Sequence, residues 1–152
     1  MRAVVQRVLN SSVEVESETV GKIGKGLNVL LGVVEGDSEK EAELLAGKVA
    51  RLRVFEDEQC KMNLSITDIG GEALVISQFT LCADVKKGNR PSFINSAEPE
   101  TAKRLYEYFI EELKKNGIKK VEHGIFAADM QVEIHNDGPV TILLDTDIWM
   151  KR

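Results

Sequence analysis

The chain has 152 residues, 43% of them hydrophobic and 30% charged, with a formal net charge of −5. That length fits one domain able to bury roughly two-thirds of its unfolded surface, and that balance excludes a disordered chain or one dependent on a disulfide scaffold. The acidic balance excludes a global basic field, so any contact with RNA must rest on local patches and be salt-sensitive. In chain order, Arg2 to Glu16 is valine-rich and partly alternating, and Val13, Val15, Val20 and Ile23 carry the pattern across Glu16-Ser17-Glu18-Thr19. A strand followed by a hairpin is predicted. Leu27 to Val34 is an almost continuous apolar run after Gly24-Lys25-Gly26, as expected of a strand covered on both faces.

Ser38 with Glu41 forms a capping-box pattern, followed by Ala42, Leu45, Val49 and Leu52 at helical spacing. Glu56 to Gln59 and Asp68 to Gly71 are turn material, and Ala73 to Leu81 is the next predicted strand. A loop follows from Asp84 to Asn95, carrying Lys86, Lys87, Arg90 and Pro91. Pro99 starts a second helix with an apolar stripe of Ala102, Leu105, Phe109 and Leu113, which Asn116-Gly117 stops. Val121 to Phe126, Met130 to His135 and Val140 to Asp145 complete the predicted strands. The expectation is a single α+β domain over residues 1–152, with a curved, largely antiparallel, barrel-like sheet and two main helices.

Neither a signal-peptide core near Met1 nor any apolar stretch of about 18 residues is present, so a cytoplasmic protein with no membrane partner is expected. Cys60 and Cys82 lack CxxC spacing and read as free thiols in a reducing compartment. His123 and His135 stand at no metal-ligand spacing, and no metal or other cofactor is expected. A nucleophile-base pair of Ser77 or Thr80 with a histidine lacks the Gly-x-Ser-x-Gly elbow. Glu41, Glu43, Glu111 and Glu112 read as solvated helix faces, and Gly24-Lys25-Gly26 lacks the lysine-serine end of a phosphate loop.

Two segments remain. Ser77-Gln78-Phe79-Thr80-Leu81 closes an apolar run in hydroxyl and amide side chains. Where ladder pairing stops, successive backbone N–H groups turn outward and can hold an oxyanion, each worth roughly 3 kcal/mol in an acyl-transfer transition state. Asn136-Asp137-Gly138-Pro139-Val140-Thr141 places a Gly-Pro pair between two apolar runs. Proline fixes φ and glycine permits close approach, so the pair can present two carbonyl acceptors to a ligand, the more so with a cis bond that aims both the same way. Taken singly, the first segment reads before all else as a strand end and the second as a hairpin turn between His135 and Val140.

With these segments the chain resembles the D-aminoacyl-tRNA deacylases, also called D-tyrosyl-tRNA deacylases, of the bacterial and eukaryotic type. The resemblance spans essentially the whole sequence, through Gln6-Arg7-Val8, Leu30-Leu31-Gly32-Val33, Lys61-Met62-Asn63-Leu64, Arg90-Pro91-Ser92-Phe93 and Phe126-Ala127-Ala128-Asp129-Met130 as well as the two segments above. It implies hydrolysis of the ester joining a D-amino acid to the terminal adenosine of tRNA, with glycyl-tRNA also cleaved and L-aminoacyl-tRNA rejected. It further implies a homodimer in which Ser77, Gln78, Phe79 and Thr80 of one chain form the catalytic strand end. Gly138 and Pro139 of the other chain would read the α-carbon substituents, Arg7 would hold their turn, and Phe126 and Met130 would line the adenosine pocket. The chain departs from the resemblance at Ser11, where many members have alanine, and at His123-Gly124-Ile125 before Phe126. The C-terminal extension of some vertebrate members has no counterpart, so their DNA-associated roles are not expected. A reading of another class, a non-catalytic module that binds the 3′ end of RNA, is separated from the enzyme by turnover, and a small-molecule amidase using Ser77 or Thr80 by acylation of its hydroxyl.

Overall fold

The computed structural model describes residues 1–150. Strand β1 (Arg2–Val15) turns through Glu16 and Ser17 into β2 (Glu18–Ile23), and β3 (Gly26–Gly32) follows. Both turn residues have positive φ, 50° and 66°, the backbone of a two-residue hairpin whose twist matches that of its strands. Helix α1 (Glu39–Arg51) leads to a small hairpin of β4 (Phe55–Glu56) and β5 (Met62–Leu64), and then to β6 (Glu72–Ser77). Helix α2 (Pro99–Lys115), β7 (Val121–His123) and β8 (Gln131–Asp145) complete the elements, with short 3-10 turns at Phe79–Cys82 and Thr146–Ile148.

Both helices begin and end as their sequences dictate. Ser38 caps α1, and its capping box with Glu41 is complete. Glu41 is therefore buried against the cap rather than solvated as its helix-face reading expected. Pro99 opens α2, and Gly117 at φ 100° follows its end, a left-handed position that glycine occupies without a Cβ clash.

The sheet curls around β1. Residues such as Ser11 pair with Ile23 of β2 on one edge and Ile134 of β8 on the other, while β3 takes over the first edge for Arg2 to Val8. These three pairings are antiparallel. The two connections that carry the helices return parallel, β3 to β6 and β6 to β7, so the sheet is mixed. The curl nearly closes where β7 approaches β2: a Cβ on Gly21 would lie 2.8 Å from the His123 carbonyl, so that position needs glycine.

Two apolar layers result. Ala3, Val5, Leu27 and Val29 pack with Leu45 and Val49 of α1 and Leu105 and Phe109 of α2. Val8, Val13, Ile23, Leu74 and Ile76 form a separate core. Full burial of one such side chain contributes about 1.5–3 kcal/mol. Strand β1 serves both layers because its pairing with β8 slips between Gln6 and Asn10, which re-aims its side chains. Beside the helix layer the α-ammonium of Met1 is buried, donating to Asp37 Oδ1 at 2.9 Å and to Thr146 Oγ1 at 2.8 Å. No helix among the described residues is long and apolar enough to cross a membrane.

Three expectations about the strands are also corrected. Strand β6 stops at Ser77, not Leu81, because its last partner on β3 is Leu31 and the chain then tightens into the 3-10 turn. Strand β7 ends at His123, leaving Phe126 in a loop. Gly138-Pro139 is no hairpin turn: β8 runs unbroken along β1, and four residues, Asp137 through Val140, bulge out between Asn136 and Thr141 opposite Arg7 alone.

Candidate active site

The end of β6 sets the first part of the site. Gln78 N–H donates to the Leu31 carbonyl at 2.8 Å, the last bond along that edge. In the 3-10 turn Leu81 N–H donates to the Gln78 carbonyl at 3.2 Å and Ala83 N–H to that of Thr80 at 3.2 Å. The N–H groups of Phe79 and Thr80, first in the turn, reach no acceptor among the described residues, as the first donors of a helical turn do not. The turn can fold back because it meets Gly32 of β3, where a Cβ would lie 3.0 Å from Leu81 Cβ and 3.1 Å from the Gln78 carbonyl oxygen.

The side chains here are not arranged for nucleophilic attack. The Gln78 amide donates to Thr80 Oγ1, so that hydroxyl accepts an amide hydrogen and faces no base. The two histidines are engaged elsewhere: His123 Nδ1 lies 2.7 Å from the Gly124 carbonyl oxygen and His135 Nδ1 lies 3.1 Å from Asn10 Nδ2. Cys60 and Cys82 are free thiols, exposed and buried respectively, and burial raises the Cys82 pKa. No group of three or more His, Cys, Asp or Glu among the described residues is placed to hold a metal ion.

Beside the strand end lies a cleft of about 490 Å³ whose walls bring Ser77, Gln78 and Phe79 together with Phe126 and Met130. Thr80 stands outside this lining. Tyr106 of α2, which the sequence reading omitted, also lines the cleft, with its ring centroid 5.9 Å from that of Phe126. Its hydroxyl donates to the Val75 carbonyl at 3.0 Å, and burial pushes its pKa far above the usual phenol range. Helical spacing from Ala102 puts Tyr106 on the inward face, a signal that could have found it. Met130 lies over Gly124, where a Cβ would sit 2.5 Å from its sulfur. Ala127 in the intervening loop has φ 65°, an uncommon conformation for a residue other than glycine.

Gly138 and Pro139 are exposed, joined by a cis peptide bond, and outside the lining of this cleft. Arg7, only 7% exposed, anchors their bulge. Its Nε donates to the Asp137 carbonyl at 3.1 Å and lies 3.4 Å from Asp137 Oδ2, while Nη1 donates to the Val54 carbonyl at 2.7 Å. Gly138 has φ 126°, and a Cβ there would lie 3.1 Å from Arg7 Nη2, so the backbone approaches the guanidinium as only glycine allows.

The family described as D-Tyr-tRNA(Tyr) deacylase matches residues 4–145. The chain belongs to this family. The D-aminoacyl-tRNA deacylase of Persephonella marina is 59% identical over 146 residues, 96% of this chain and 98% of that one. The D-aminoacyl-tRNA deacylase of Thermosipho melanesiensis is 55% identical over 146 residues, with 96% and 97% covered. Among solved structures, one described as c-Myc DNA Unwinding Element Binding Protein is 46% identical with a TM-score of 0.90, covering 95% of this chain and 98% of its own. A probable eukaryotic D-amino acid tRNA deacylase shares the fold at a TM-score of 0.80 and 16% identity, covering 94% and 97%. The nearly closed barrel with two helices is thus the deacylase fold.

Proposed function

We infer that the protein is a D-aminoacyl-tRNA deacylase, hydrolysing the ester between a D-amino acid and the terminal adenosine of tRNA in the cytoplasm. The observation that carries this is the pair of uncommitted N–H groups at Phe79 and Thr80 beside the cleft, in a chain of the deacylase family. Water attacks the ester carbonyl, and the oxyanion that forms accepts from these two donors. Collapse of the intermediate expels the ribose oxygen, which takes a proton and leaves free tRNA and the D-amino acid. The neighbouring ribose 2′-OH assists the water, a reading supported by the lack of a hydrogen-bonded base at Ser77 or Thr80 among the described residues. Phe126 and Met130 hold the terminal adenine, and no metal is required.

In this reading residues 1–152 act as one domain within a homodimer. Gly138 and Pro139 of each protomer enter the partner's cleft, which their exposure, their absence from the lining of their own cleft and their anchoring by Arg7 support. The free edge of β8 and the 73% exposed Leu143 favour a partner on that side. Their carbonyls exclude the Cβ of an L-residue, so selection works by rejection and side chains of D-residues go unread. Glycine, with no Cβ, passes the filter. Lys86, Lys87 and Arg90 steer the acceptor end.

Release of D-amino acid from D-aminoacyl-tRNA at substoichiometric protein is the test, and binding without turnover would instead mean an RNA 3′-end module. Thr80→Ala should keep most of its turnover. A loss approaching about a million-fold, as when a true nucleophile is removed, would replace this mechanism by an acyl-enzyme.

A further inference from the structure

Tyr106 and Phe126 have a second cleft on them. A depression of about 540 Å³ shares these two rings as walls with the first cleft. Its apolar surface comes chiefly from Ile125, 47% exposed, while Ile110, also in its lining, is only 4% exposed. On its rim stand Lys103 and Glu107, four residues apart on α2 and therefore on one helix face. Neither has an ion-pair partner among the described residues, whereas Glu111 and Lys114, on the same rim, pair at 3.0 Å.

This combination matches one nucleotide. Apolar and aromatic side chains suit the face of an unstacked base, and an uncommitted ammonium suits a backbone phosphate. An ionised carboxylate only accepts hydrogen bonds, which fits the exocyclic amino group of cytosine and is repelled by the carbonyl edge of uracil. Adjoining nucleotides need adjoining sites, and tRNA acceptor ends carry cytidine immediately before the terminal adenosine. We propose that the second cleft takes that cytidine, with its base on Ile125 and Phe126, its N4 amino group on Glu107 and its phosphate on Lys103. The proposal rests on the assignment of the first cleft to the terminal adenosine. It makes the enzyme a reader of two nucleotides, and it gives Ile125 a direct contact with RNA.

The experiment compares kcat/KM for D-aminoacyl-tRNA with that for D-aminoacyl-adenosine, which has no preceding nucleotide, and for D-aminoacyl-tRNA with uridine in the penultimate position. Wild type should favour the cytidine form over the uridine form by about tenfold, the worth of one good side-chain contact to a base edge. Glu107→Gln can donate to the uracil O4 and should reverse or erase that preference. Lys103→Ala should lower the ratio of kcat/KM for tRNA to that for aminoacyl-adenosine by a similar factor and flatten its salt dependence. Cleavage of all three substrates with no base preference and an unaltered ratio in both variants would overturn the second cleft alone. Failure of wild type to cleave even D-aminoacyl-tRNA would overturn the deacylase reading and this site with it.

Discussion

Replacing Arg7 by lysine tests how the Gly138-Pro139 bulge is held. The guanidinium spans two carbonyls, Val54 at 2.7 Å and Asp137 at 3.1 Å, and a lysine ammonium on a flexible stem cannot bridge both. Each charge-assisted bond contributes about 1.5–3 kcal/mol. The ion pair with Asp137 adds little, because that carboxylate is 36% exposed and water screens it. One lost bond predicts a destabilisation of about 2 kcal/mol, which lowers the urea midpoint by roughly 1 M at a typical slope. The bulge side should be the one released, since Val54 lies deeper. Hydrolysis of D-aminoacyl-tRNA should therefore fall, and the ratio of D- to L-aminoacyl-tRNA turnover should fall with it. Urea unfolding followed by circular dichroism gives the first quantity and parallel deacylation of the two substrates the second. An Arg7→Lys variant with an unchanged midpoint and an unchanged D-to-L ratio would refute the reasoning.

Gly138→Ala meets both a forbidden φ and a Cβ contact of 3.0 Å with Val140 Cγ2, so it should cost about 1–3 kcal/mol and reduce activity more than Gly24→Ala, whose Cβ would meet Glu72 Oε1 at an ordinary 3.5 Å, measured side by side. Asp37→Asn breaks the buried pair with the Met1 ammonium and should cost about 3–5 kcal/mol, read as a fall in the thermal midpoint of about 6–20 °C. Asp57 and Asp68 have their pKa values lowered chiefly by backbone N–H donors, those of Lys61 and Ser65. Their contribution to stability is complete above the unfolded carboxylate range and is lost as pH falls through the lower folded values. The double variant Asp57→Asn, Asp68→Asn should lose stability at pH 7 and show a shallower decline below about pH 4 in denaturant titrations.

What the sequence revealed depended on how local the cause was. The capping box of Ser38 and Glu41, the Pro99 start of α2 and the apolar run of β3 are written in neighbouring residues, and they stand where expected, save that β3 stops at Gly32 instead of Val34. The end of β6 is not local: Phe79 and Leu81 suit a strand, but Leu31 is the last partner available and Gly32 admits a turn above it. The Gly138-Pro139 bulge is likewise decided elsewhere, by a partner strand that continues past it and by a guanidinium more than a hundred residues away in sequence. Of the site residues read from sequence, the cleft gathers Ser77, Gln78, Phe79, Phe126 and Met130, while Arg7, Gly138 and Pro139 assemble separately. Tyr106 went unread because the stripe traced from Ala102 ran through Leu105, Phe109 and Leu113 and passed it by, although Tyr106 lies one turn beyond Ala102 and lines the cleft.

The two free N–H groups at Phe79 and Thr80 belong to the main chain, and that alters how the site can fail. Substitution of a side chain leaves the amide hydrogen in place, so nearly every single replacement at these positions preserves both donors. Proline alone removes one. A deacylase working in this way is shielded from most point mutations at its reacting centre, and its weak points move outward to the residues that shape the turn, Gly32 among them. Sequence drift at Phe79 or Thr80 should therefore change affinity before it changes chemistry, whereas proline at either position should lower turnover by about a hundredfold or more, the worth of one donor.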